Sequence, residues 1–110
     1  MKVAASVPDQ DLPFLQSLYE WLRRTNGLAV TAEASARHQG AAEIVNIVLS
    51  NTIALSSFVV SLRAWLGTRP RKPPITVEVN GVRITVPDGS PESLAVLEKA
   101  LRAALDDDAE

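Results

Sequence analysis

The 110-residue chain contains no cysteine, which excludes disulfides, thiolate metal ligands and a thiol nucleophile. Histidine occurs once, at His38, and a metal site needs several ligands close together. Charge of one sign is also lacking: eleven Lys and Arg against thirteen Asp and Glu give a net charge of -2, so no global field draws nucleic acid. Basic charge is local, at Arg69, Arg71 and Lys72. That cluster is too short for a nucleic-acid site, and its nearest aromatic, Trp65, suits a core or an interface better than a stacking platform. Phosphate-loop spacing is absent too, because Gly27, Gly40, Gly67, Gly81 and Gly89 stand alone at expected turns and helix ends. The opening "MKVAASVPDQDLPF" has no apolar h-region and is broken by Pro8, Asp9 and Asp11, which argues against a secretory signal and for a cytoplasmic location.

What the chain has is aliphatic. Hydrophobic residues make up 46% but aromatics only 5%, and the mean hydropathy of +0.07 fits one globular domain, residues 1–110. Met1–Val7 predicts a strand with Val3, Ala5 and Val7 on one face. Asp11 is placed to cap a helix from Leu12 to Thr25, where Leu15, Leu18, Tyr19 and Leu22 recur at helical spacing. A second strand is expected in "LAVTAEASAR". Residues 67–74, with Pro70, Pro73 and Pro74, read as an internal linker. In "ITVEVNGVRITV", Asn80-Gly81 between two alternating runs signals a type I′ hairpin. Ser90 and Pro91 then open a helix over Glu92–Leu105 that buries Leu94, Leu97, Leu101 and Leu105. Residues 106–110 read as a frayed acidic tail.

The run "EIVNIVLSNTIALSSFVVSLRAWL", Glu43–Leu66, dominates the rest. No charge falls in residues 44–62, which as a helix would extend about 28 Å, near the roughly 30 Å of bilayer hydrocarbon. The expectation is one long apolar central helix, giving an α+β domain of order β-α-β-α-β-β-α. The strands and the two amphipathic helices need such a helix as a common core. A membrane span over residues 44–62 is the alternative, handicapped by Asn46 and Asn51, whose amides need partners in hydrocarbon. A helix apolar nearly all round outgrows what its small domain covers, so part of it is expected to meet a partner. Ser50, Ala54, Ser57 and Ser61 offer close approach and Phe58, Val59 and Trp65 apolar area, which makes these seven the candidate protein interface, for a second copy or for a different protein.

Catalytic, cofactor and metal sites are not expected. His38 is the least poor acid–base candidate but reads as an ordinary surface residue. Asp9 and Asp11 are accounted for by turn and cap, Asp106–Asp108 by the tail, and "PDGSPES" by turn and cap instead of a nucleophile elbow.

Taken together, "LQSLYEWLRR" with Leu18 and Trp21-Leu22-Arg23, "SLRAWLGTRPR" with Leu62 and Ala64-Trp65-Leu66, and "ITVEVNGVRITVPDG" resemble the actinobacterial effector-associated constant component family over about residues 2–105. The resemblance implies a small non-catalytic adaptor, signalling or assembly component of a predicted bacterial conflict or antiviral defence system. It implies partners encoded nearby, such as caspase-like or trypsin-like peptidases. No catalytic residue carries over. The chain departs from the family's pattern after "AVTAEASAR", where Gln39 and Gly40 replace a longer proline-rich loop.

Overall fold

A computed structural model describes residues 1–25, 28–34, 42–69, 74–87 and 89–108. The chain runs β1 (Lys2–Ser6), a 3-10 turn (Asp9–Asp11), α1 (Leu12–Arg23), β2 (Ala29–Ala34), β3 (Ala42–Val48), α2 (Thr52–Gly67), β4 (Ile75–Val79), β5 (Val82–Val86) and α3 (Pro91–Asp108). The five strands form one antiparallel sheet in the order β2-β3-β1-β4-β5.

The architecture is α+β, but the long apolar central helix does not exist. Its expected first half is β3, and a turn at Ser50 and Asn51 separates that strand from α2. The physical reason lies in the side chains. Ile44, Val45, Ile47 and Val48 are all β-branched and favour a pleated strand. Asn51 then stops the strand and starts the helix, with its Oδ1 accepting from the Ala54 N–H at 2.8 Å. α2 keeps 16 residues, about 24 Å. Among the described residues no helix is long and apolar enough to cross a membrane. The span over residues 44–62 is therefore corrected along with the helix that was to form it.

Other expected elements are present. Asn80 (φ 50°) and Gly81 (φ 81°) make the hairpin turn between β4 and β5. Ser90 caps α3, its Oγ accepting from the Ser93 N–H at 3.2 Å. Asp11 stands at the α1 N-cap position, buried, with no side-chain bond to the helix N–H groups. Gly67 does not provide a left-handed stop for α2. The stop is Thr68, whose Oγ1 donates to the Trp65 carbonyl at 2.7 Å.

Strand alternation divides the sheet into two unlike faces. Val3 opposite Ile47, and Ala5 opposite Val45 and Val77, point into the core. Ala4, Asn46, Glu78 and Thr76 point the other way, where Asn46 Nδ2 donates to Glu33 Oε2 at 2.7 Å and Arg83 pairs with Glu78 at 2.9 Å. The helices supply the second layer: α1 meets β2 and β3, α3 meets β5, and α2 packs between α1 and α3. Leu15, Leu18 and Leu22 of α1, Leu55, Phe58, Leu62 and Trp65 of α2, and Leu97 and Leu101 of α3 fill the space between.

Candidate functional site: the outward face of α2

α2 is anchored to α1 by polar contacts as well as packing. Trp21 Nε1 donates to the Ser61 carbonyl at 3.1 Å, the Thr25 and Ser61 hydroxyls lie 2.8 Å apart, and Trp65 Nε1 donates to Ser17 Oγ at 3.2 Å. The Arg69 guanidinium stacks over the Trp65 ring, 5.1 Å from its centroid. These contacts fix how α2 is rotated and so decide which side chains it turns outward.

The seven candidate interface residues separate by burial. Ala54, Phe58, Val59, Ser61 and Trp65 lie in the protomer's own core, Ser57 is half-buried, and Ser50 is exposed in the turn before α2. Outward apolar area comes instead from Ile53, 78% exposed, and Val60, 66% exposed. Neither Ile53 nor Val60 is among the seven residues that the sequence singles out. An inner and an outer face that are both aliphatic give no amphipathic contrast by which to tell them apart.

Two adjoining hollows run along this face. One, of about 330 Å³, lies between α1 and α2 and is lined by Trp21, Arg24, Thr25, Val60, Ser61 and Ala64. The other, of about 360 Å³, is lined by Thr52, Ile53, Ser56, Ser57 and Val60. Val60 borders both. The linings mix apolar side chains with the hydroxyls of Thr25, Thr52, Ser56, Ser57 and Ser61, and Arg24 is the charged residue among them. Such a surface offers apolar contact area interspersed with hydroxyls.

Among the described residues no group of three or more His, Cys, Asp or Glu side chains is placed to hold a metal. His38 lies outside the described residues.

The fold and this groove define a small α+β domain with a one-sided helical layer whose central helix presents aliphatic side chains outward. The chain matches the family Effector Associated Constant Component 1 over residues 8–105 and belongs to it. A comparison with curated proteins finds no match.

Proposed function

We propose that the protein is a non-catalytic adaptor or assembly component of a bacterial conflict or defence system, acting in the cytoplasm by associating with a neighbouring effector, with further copies of itself, or with both. Membership in an effector-associated family supports the effector connection. A caspase-like or trypsin-like peptidase is the expected effector. The observation that carries the reading is the pair Ile53 and Val60, large aliphatic side chains that stand exposed on the outward side of α2 beside two hollows that share Val60. The buried members of the interface set, Ala54, Phe58, Val59, Ser61 and Trp65, support this face from beneath. Residues 1–110 act as one domain; of the expected linker over 67–74 Gly67 belongs to α2, of the expected tail over 106–110 the first three residues belong to α3, and residues 70–73 and 109–110 lie outside the described residues.

The test is binding of the peptidase encoded beside this protein, measured by calorimetry. Ile53→Asp and Val60→Asp should each weaken binding at least tenfold, or about 1.4 kcal/mol, with the far-UV spectrum unchanged. Unchanged affinity in both folded variants would remove α2 as the contact surface.

A further inference from the structure

α2 contains no acidic residue, and Arg63 is its one charged side chain. Ile53, Ser57, Val60 and Ala64 recur at helical spacing along its outward side. Hydrogen bonds on either side of this ridge show what flanks it. The Ser61 hydroxyl bonds Thr25 and so marks the flank towards α1, where Arg24 lines a hollow together with Val60 and Ala64. Ser56 Oγ accepts from Arg102 Nη2 at 3.2 Å and marks the flank towards α3. Arg63, two helical turns beyond Ser56, lies on that same flank. Arginines therefore border the aliphatic ridge on both sides.

Two of these charges are unspent. Arg102 pairs with Glu98 at 2.8 Å, whereas Arg24 and Arg63 are exposed and, among the described residues, neither has a carboxylate partner. Glu20, one turn before Arg24, instead accepts from Gln16 Nε2 at 3.4 Å. In a chain of net charge -2, this face is a local field of the opposite sign.

We propose that the α2 face takes an acidic amphipathic helix of a partner protein, with its apolar side chains on Ile53, Val60 and Trp21 and its carboxylates on Arg24 and Arg63. This rests on the effector reading and deepens it by naming the chemistry of the segment that docks. A helix follows from the backbone of the surface itself. α1 and α2 spend their N–H and C=O groups within their own turns, so an extended segment lying here would find none to pair with, whereas a helix satisfies its own. Ile53 and Val60 stand about 10.5 Å apart along the α2 axis, the interval between side chains i and i+7 of a docked helix, which lets two anchors reach the two hollows. Arginine on both flanks calls for carboxylates on both flanks of the docked stripe, which the planar guanidinium can hold bidentately. Nucleic acid would meet the arginines but set Ile53 and Val60 against a hydrated phosphate backbone.

The probe is a synthetic alanine-based helix of about 18 residues with leucines at i, i+3, i+4 and i+7 and glutamates on both flanks of that stripe. Its control carries lysines in place of the glutamates. Titrated into the full chain up to about 1 mM, the acidic peptide should shift the emission of Trp21, which lines one hollow, while Trp65 stays in the core. The lysine peptide should bind at least about tenfold more weakly. Arg24→Glu and Arg63→Glu, at exposed positions, should each weaken the acidic peptide at least about tenfold and strengthen the lysine peptide, with the far-UV spectrum unchanged. Raising salt from about 0.05 M to about 0.5 M should weaken acidic-peptide binding to the wild type more than to the double variant. Failure of the acidic peptide to bind overturns the inference. Equal binding of the two peptides, both lost in Ile53→Asp, also overturns it while leaving α2 as a contact surface. The effector reading fails separately, when the neighbouring peptidase ignores both Ile53→Asp and Val60→Asp. Capture by phosphatidylserine vesicles that is lost in Arg24→Glu and Arg63→Glu, with the acidic peptide unbound, would assign the arginines to an anionic lipid surface instead.

Discussion

Ser61 and Trp65 show how single side chains set the rotation of α2. Ser61 is buried, yet its carbonyl meets Trp21 of α1 and its hydroxyl meets Thr25 just beyond that helix. Trp65 is fully buried and holds its indole N–H on Ser17. Replacing Trp65 by Ala removes the largest buried side chain and should cost about 3–5 kcal/mol. Ser61→Ala leaves Thr25 at the edge of an open groove where water can reach it, and should cost only about 1 kcal/mol. Urea denaturation of the two variants tests this ordering, and equal losses would refute it. Tryptophan was expected as core or interface from its residue type alone. Which of the two, and the role of Ser61 as a link between helices, depended on where α1 docks, and no local pattern encodes that.

At the scale of elements, legibility followed the strength of local signals. The hairpin was readable because Asn80-Gly81 meets the backbone demands of a type I′ turn, and both residues have positive φ. α3 was readable from its leucine spacing and its Ser90 cap. β3 was not, because an uncharged run reports burial without reporting period, and a short run cannot be told from a buried helix by hydropathy. Asn46 and Asn51 held the missing information. Each was a liability inside one long helix, whereas in the structure Asn46 bonds Glu33 across the sheet and Asn51 caps α2. Asn51→Ala should therefore destabilise the protein by about 1 kcal/mol, and Asn51→Asp should retain most of the cap. Thermal unfolding of the two variants would count against the cap if they melted together below the wild type. Ser50 was placed on a stripe with Ala54 and Ser57 only because the helix was drawn through the turn.

At the scale of the whole molecule, α2 joins the halves of the fold. It touches α1, which covers β2 and β3, and α3, which covers β5, while β1 ties the two sides of the sheet together by pairing with both β3 and β4. The buried side chains of both halves form one cluster, with Phe58, Leu62 and Trp65 of α2 among those of α1, α3 and the sheet. Unfolding should consequently be a single cooperative step. Tryptophan fluorescence reports the α1–α2 contact through Trp21 and Trp65, and far-UV circular dichroism reports all elements at once. The two urea transitions should coincide, with the same midpoint and slope. Phe58→Asp, which puts an unpaired charge at the centre of this shared core, should abolish both transitions together. A fluorescence change that precedes the loss of ellipticity would mean that the helical layer separates from the sheet as an independent unit. In that case α2 would be a detachable element and not the joint of the domain.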